Sequence, residues 1–338
     1  MPEVRITDAG ERPDDIDFDR ALRPQSISTF VGQDSARQKL GVFLTAARQR
    51  NEPLDHVLLA GPPGLGKTSL ARIIAKELDV GFHTTSGPVI ERKGDLAAIL
   101  TAVKEHDVLF IDEIHRLGRA VEEVLYPAME DFEIDIVTGQ GPSATILRLP
   151  LPPFTLVAAT TRTGLLSAPL LGRFGIVERL NYYTYPQLAQ IVQRSASLLD
   201  IEIDPEGSVA IASRARGTPR IANRLVRRVR DVAQVRGIRD IDAALAHEAL
   251  DLLEVDALGL EDLDRRLLRA LTQAFEGRPV GLGTLADSVG ESPDTIEDVY
   301  EPYLLQEGLI ARTPRGRVAM PKAYRHLGIE PPSEPVLF

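Results

Sequence analysis

The chain contains no cysteine, which excludes disulfides and thiolate metal sites. Its six histidines are scattered, without the spacing that zinc requires. No apolar run reaches the roughly 18 residues of a membrane span. The opening segment, residues 1–20, is acidic and has no apolar centre, so it reads as a mobile lead-in rather than a secretory signal. Internal repeats and low-complexity tracts are absent. A cytoplasmic protein is the simplest expectation. Positive charge is scarce overall: the formal balance is −10, which argues against a surface that coats nucleic acid.

Two stretches depart from that average. Nine arginines and a single acid, Asp231, lie between Arg214 and Arg239, and five cations with no acid lie between Ala311 and Gly328. A basic stripe is usually a solvated face, so the first stretch is expected to be that, or a subunit interface. In the second, Arg312, Arg315 and Arg317 crowd a Pro-Arg-Gly turn, and contact with nucleic acid is the better reading.

A chain of 338 residues suits two or three domains. From about residue 33 to 180, apolar runs alternate with helix-period segments, as an α/β sheet with helices on both faces requires. The strand candidates are residues 56–60, 81–85, 108–112, 154–160 and 176–180. Residues 132–149 read as an inserted β-hairpin with apolar, exposed-looking arms (Ile134, Ile136, Ile146, Leu147, Leu149). The pattern then becomes wholly helical, with starts marked by Pro186, Pro205 and Pro219. After Asp256, helices followed by a strand–turn–strand suggest a winged helix. The expected divisions are a large domain over 21–181, a small all-α domain over 182–254, a winged helix over 255–330 and a tail over 331–338.

GPPGLGKT, Gly61 to Thr68, stands between an apolar strand and an apolar helix. That is the context a phosphate-binding loop needs: glycines let successive N–H groups turn inward, and the helix start adds positive potential. Lys67 is placed to reach the β and γ phosphates, and Thr68 to offer a hydroxyl to magnesium. The strand 108–112 ends in Asp112-Glu113, one acid for the metal shell and one to polarise the attacking water. His115 is better read as supporting than as catalytic. The signature that marks a guanine switch, Asn-Lys-x-Asp, is absent. Thr161 closes a strand expected beside the paired acids, where a polar group can hold the water. Arg173 and Arg220 suggest one charge given to a neighbour's γ-phosphate and one reporting nucleotide state to the helical domain.

Taken in order, GPPGLGKT, DEIHRL, ATTR, GRFG and GTPRIANRL resemble the AAA+ ATPases. LRP at 22–24, VGQ at 31–33, MED at 129–131 and TIEDVYEPYLLQEGLIARTPRGR at 295–317 are similar to the RuvB family of branch-migration motors. The resemblance implies a P-loop AAA+ core with a parallel sheet, an all-α lid domain and a C-terminal winged helix. It implies a hexameric ring that binds ATP and Mg2+, pumps duplex DNA, and migrates Holliday junctions in recombination and repair. By it, Leu22, Arg23 and Tyr183 flank the adenine, while Gly64, Gly66, Lys67, Thr68 and Ser69 cradle the phosphates. Glu130, Asp131 and Phe132 border the nucleotide. Thr161 is the first sensor, Arg220 the second, and Arg173 a finger acting in trans. Arg312 and Arg317 hold DNA, beside Arg315 of the basic turn, the hairpin 132–149 docks the junction-binding partner RuvA, and RuvC is the associated resolvase. Gln25, Ser69 and Ala311 depart from the family's usual residues without touching these roles.

Two other readings stand beside it. A ring ATPase that unfolds proteins needs an aromatic-glycine pore loop, and Pro88 to Gly94 has no aromatic residue and two cations. A nucleotide-gated adaptor without turnover would need a defective site, yet Lys67, Asp112, Glu113 and Arg173 are all present.

Overall fold

The computed structural model describes residues 7, 21–138 and 145–332, and it divides into two compact units that part after Tyr183. Within residues 21–183, five short strands form one parallel sheet. They are β1 (Val57–Ala60), β2 (Phe82–Ser86), β3 (Val108–Asp112), β6 (Thr155–Thr160) and β7 (Ile176–Arg179), in the order β2-β3-β6-β1-β7. Strands buried on both faces carry continuous apolar runs rather than an alternation, and VLLA, VLF and TLVAAT do so. Helix α1 (Asp34–Arg50) leads into β1, and α2 (Lys67–Leu78), α3 (Lys93–Ala102), α4 (Arg119–Glu130) and the short α5 (Ala168–Leu171) lie between the strands. One apolar cluster, from Leu58, Leu109 and Ile111 through Leu125 and Phe154 to Phe174, binds the sheet to α3, α4 and α5.

The hairpin is an antiparallel pair, β4 (Glu133–Thr138) with β5 (Thr145–Pro150), and its tip lies outside the described residues. Its apolar arms divide, which corrects the expectation that they are exposed. Ile134 is fully buried in the core cluster and Leu149 packs against it, because both belong to the half of the hairpin nearest α4. Leu147, 49% exposed, does face solvent; the side chains of Ile136 and Ile146 lie outside the described residues.

The second unit is mainly helical at first: α6 (Tyr185–Leu198), α7 (Pro205–Ser213), α8 (Pro219–Arg236) and α9 (Ala243–Leu252). Each start has a local cause. Thr184 and Gln187 form a reciprocal capping box, and Asp204 and Asp242 accept from N–H groups of the first turns of α7 and α9; such caps stabilise by about 1 kcal/mol each. Pro219 opens α8, and Gly237, at φ +68°, closes it. One element was not anticipated in a region that reads as all-α. Residues Glu202–Ile203 (β8) pair in parallel with Asp240–Ile241 (β9), each extended where the chain leads into an aspartate cap.

The winged helix has α10 (Asp262–Arg269), α11 (Leu282–Val289), α12 (Pro293–Thr295), α13 (Glu301–Gln306) and α14 (Pro321–His326). The wing is β10 (Ile310–Thr313) antiparallel to β11 (Gly316–Ala319). Wide π turns at Ala270–Ala274 and Ile296–Tyr300 continue α10 and join α12 to α13. No helix among the described residues is long and apolar enough to cross a membrane.

Candidate active site

Parallel strands deliver their ends to one edge of the sheet, and open α/β sheets bind ligands beyond that carboxyl edge. There β1 runs into the glycine loop. Gly61, Gly64 and Gly66 have φ of +142°, +76° and +97°, a region that penalises any side chain. Space forbids one as well: a Cβ on Gly61 would lie 2.6 Å from the Leu180 carbonyl oxygen, and one on Gly66 would lie 3.0 Å from the Phe30 ring. Helix α2 then starts at Lys67 with no side-chain cap and no acid in its first turn. Its leading N–H groups, Thr68 and Ser69 among them, therefore offer donors and a positive dipole end to an anion. Lys67 is buried, and its ammonium donates to the carbonyls of Gly61 and Pro62 at 2.8 Å each. An ammonium held by two loop carbonyls is aimed along the loop, where a phosphate chain would lie.

The entry segment closes over this loop. Leu22 and Phe30 are buried, and the Tyr183 hydroxyl donates to the Leu65 carbonyl at 3.2 Å. Burial drives the Tyr183 hydroxyl far above its ordinary pKa, so it stays protonated. Gln33 makes a reciprocal pair with the backbone of Asn181, donating to its carbonyl at 2.6 Å and accepting its N–H at 3.0 Å. This explains the glutamine of VGQ: its amide acts as one more strand residue and pins residues 31–33 to residue 181. Arg23 lies in the same segment, and its carbonyl accepts from Gln25.

At the end of β3, Asp112 accepts the Glu113 N–H at 2.9 Å, and Glu113 itself adopts φ +48°. Residues Gly87 and Glu113 pack so closely that a Cβ on Gly87 would lie 2.4 Å from the Glu113 carbonyl oxygen. The Glu113 carboxylate is half exposed and pairs with Arg116 at 3.1 Å. The neighbouring strand β6 ends at Thr160, which is buried, with Thr161 exposed just beyond it. His115 bonds Thr160 across the gap, Nδ1 to Oγ1 at 3.1 Å, so it ties the paired-acid turn to the end of β6. Burial holds the His115 imidazole below its ordinary pKa, hence neutral. The sequence marked this histidine as supporting, but the partner it supports was not legible.

Arg173, Glu130, Asp131 and Phe132 are brought together, but at the other edge. Gly175 lies against Asp55 and the Ile176 N–H bonds the His56 carbonyl, so Arg173 precedes β7 at the amino edge, where β1 begins. Phe132 packs edge-on against His56 and Phe154. The Arg173 guanidinium donates to Glu130 at 2.9 Å and to the Pro169 carbonyl at 2.7 Å, and it lies 4.2 Å above the Tyr126 ring. Its Nε–H is buried without an acceptor among the described residues. The four residues of β1 separate this group from the glycine loop by about 13 Å at ordinary strand rise. Arg173 therefore does not reach the phosphate loop of its own chain.

Arg220 belongs to the second unit, in the first turn of α8. Three of the nine arginines in this stretch depart from the expected solvated or interfacial stripe, while the other six keep at least partial exposure. Arg214, Arg216 and Arg224 are buried. Arg214 is bonded to Asp251 and to the Val255 carbonyl, and Arg216 to Asp264. Arg228 and Arg230 pair with Asp231, and Arg236 with Glu248. On the wing, Arg312 and Arg317 both fork onto Glu301, which is 1% exposed, and both also pair with Glu297. Their guanidinium groups hold the Glu301 carboxylate below its ordinary pKa against the opposing effect of burial. Arg315, at the turn, is exposed, and its side chain makes no hydrogen bond or ion pair among the described residues.

A glycine loop, an uncapped helix start, paired carboxylates and a polar strand end on one edge of a five-stranded parallel sheet define a P-loop ATPase of the AAA+ class. Family models describe the particular branch of that class. The Holliday junction DNA helicase RuvB P-loop domain matches residues 22–180, the RuvB AAA lid domain 183–256, and the RuvB C-terminal winged helix domain 257–328. Among solved structures, the chain is similar to the RuvB Holliday junction branch migration motor of Thermotoga maritima. The identity is 52%, coverage is 92% of this chain and 100% of that one, and the TM-score is 0.83. A singly substituted form of that protein matches at 52% identity, 92% and 99% coverage, and a TM-score of 0.85. The chain belongs to the RuvB family of branch-migration ATPases.

Proposed function

We propose that this chain assembles as a homo-hexameric ring whose ATP sites each draw on two protomers, and that hydrolysis drives duplex DNA through a Holliday junction. The observation that carries this reading is the split between sheet edges. Each chain holds a phosphate loop at one edge and, at the other, a partly exposed arginine whose buried Nε–H has no acceptor among the described residues. One protomer's Arg173, with Glu130, Asp131 and Phe132 around it, would complete its neighbour's site.

Within that site Leu22, Arg23 and Tyr183 would flank the base. Gly64, Gly66, Lys67, Thr68 and Ser69 would hold the phosphates. Thr161 would orient the attacking water and Glu113 would take its proton. The water oxygen would bond to the γ-phosphorus as the bond from that phosphorus to the ADP oxygen breaks, releasing phosphate and ADP. The donor set fits Mg2+. No cluster of three or more acids or histidines that could hold a metal exists among the described residues, and an ion held by the Thr68 hydroxyl, Asp112, phosphates and water needs none. When bound, that ion would neutralise charge on the β and γ phosphates. Arg220 would report the nucleotide to the lid, and the wing would grip DNA through Arg315, with Arg312 and Arg317 behind it.

The hairpin fits a docking role for RuvA through Leu147, and cleavage of the migrated junction would fall to RuvC. A cytoplasmic setting accords with these partners. Branch migration of a synthetic four-way junction, measured with ATP and with or without RuvA, tests the reading. ATP-dependent conversion of the junction is expected. DNA-independent ATPase activity with no junction movement would refute it.

A further inference from the structure

The stretch that joins the helical lid to the winged helix, residues 253–261, is built unlike a linker. Its carbonyls are taken up by side chains from both sides. Arg214 donates to Val255 at 2.7 Å, and Arg216 to Gly259 at 2.6 Å. Arg265 donates to Glu254 and Leu260 at 2.9 Å each, and Tyr303 to Leu258 at 2.7 Å. Asp256 accepts the N–H groups of Leu258 and Leu260 and bonds His326. Flexible tethers are polar and solvated; here Val255 and Leu260 are fully buried.

Across this segment runs one ion pair with almost no access to water. Arg216 of the lid is 3% exposed and Asp264 of α10 is 0% exposed. The guanidinium forks onto the carboxylate through both terminal nitrogens and lies 4.9 Å above the Tyr303 ring. The same carboxylate accepts the Glu261 N–H and so caps α10. Arg216 adopts φ +51°, unusual for a side-chain-bearing residue, and Gly217 follows at φ +66°. Thr218 bonds back to the Arg216 carbonyl at 3.1 Å, and Pro219 then starts α8. Unfavourable backbone persists where its surroundings over-determine it. The turn is thus fixed with Arg216 anchored in the winged helix and Arg220 on the first turn of α8.

We propose that Arg216 and Asp264 are positioning residues that weld the lid and the winged helix into one lever, so that lid movement set by nucleotide at Arg220 is passed to the DNA-holding wing without slack. The proposal rests on the reading that hydrolysis is coupled to DNA movement. A buried pair suits this task because its geometry is specific, and breaking one partner leaves a charge without compensation.

The absence of cysteine allows unique labelling of the full chain. Spin labels at Leu198→Cys in the lid and Met320→Cys beside the wing, both exposed positions, report the lid-to-wing distance. The expected result is one narrow distribution, the same with ADP and with a non-hydrolysable ATP analogue. In Asp264→Asn the distribution broadens, and junction migration falls about tenfold while DNA-free ATPase activity stays within about twofold. The double variant Arg216→Met with Asp264→Leu leaves no buried charge unpaired and is expected to fold, yet to show the same broadening and the same loss. A lid-to-wing distance that shifts with nucleotide in the unsubstituted chain overturns the proposal, as does full migration by the double variant. If the unsubstituted chain moves no junction at all, the coupling reading fails instead, and the distance measurement still decides whether the weld exists.

Discussion

At the carboxyl edge of the core sheet stand a glycine-shaped loop and an uncapped helix start, both disposed toward an anion, with two carboxylates beside them. At the amino edge, Arg173 is already held by a glutamate, a carbonyl and a tyrosine face. One edge is shaped to receive a phosphate chain, and the other holds a cation that its own phosphate loop cannot use. On the proposed reading, the difference means that a single chain carries both halves of a catalytic site but cannot close them on itself. A ring is the simplest way to bring unlike edges together, since each interface then repeats the same head-to-tail contact.

If the amino edge serves a neighbour, its arginine should matter most. Arg173→Ala is expected to lower ATP turnover by about 10³-fold or more while nucleotide binding survives. Steady-state hydrolysis and nucleotide titration check this. Retained turnover would make the Glu130 ion pair purely structural.

Glu113→Gln attacks the carboxyl edge directly. Loss of about 10²-fold or more in turnover is expected, with ATP still bound. Lys67→Ala should instead abolish ATP binding, because it removes the charge that the loop carbonyls aim. Isothermal titration separates the two.

The wing sharpens the comparison in a third place. Arg312 and Arg317 resemble Arg173 in being held by acids, whereas the Arg315 side chain has no acid partner among the described residues. Each neutralised phosphate contributes about −0.9 to the logarithmic salt slope on duplex DNA. Arg315→Ala should therefore make the slope shallower by about 0.9, alike on unrelated sequences. Glu301→Gln frees the paired arginines and should steepen it. DNA binding across a salt series reads both.

The smallest effect distinguishes two histidines, one at each edge. Burial holds both His56 and His115 below the ordinary histidine pKa of 6.5, so each is neutral when folded. Their contribution to stability is complete above 6.5 and is lost progressively as pH falls from there toward the lowered folded values. The loss cannot exceed about 1.4 kcal/mol per pH unit for each proton. His56 accepts the Leu156 N–H and bonds the Met129 carbonyl, both far from the phosphate loop. Its replacement by Gln should flatten the acid limb of the melting curve and leave turnover at pH 8 intact. His115→Gln should disturb turnover as well, because it loosens Thr160 beside Thr161.

Much of this was legible because local chemistry dictates it. The glycine loop, the five strands and the wing follow from φ requirements, apolar runs and a Pro-Arg-Gly turn, and these need no knowledge of distant partners. Arg214 and Arg216 did not read correctly, since composition cannot show that Asp251 and Asp264, more than 35 residues away, supply their counter-charges. Ile134 failed for the same reason: alternation gives the face of a strand, not what covers it. The pair Gln33–Asn181 spans 148 residues and leaves no periodic trace in the sequence.

Mixing two inactive variants tests the central claim most directly. Chains bearing Arg173→Ala keep the phosphate loop, and chains bearing Lys67→Ala keep the arginine. If sites form between unlike edges of neighbouring chains, mixed rings should hydrolyse ATP well above the sum of the separate variants, with a maximum near equal proportions. Activity that never exceeds that sum at any ratio would contradict the account, because every site would then lie within one chain.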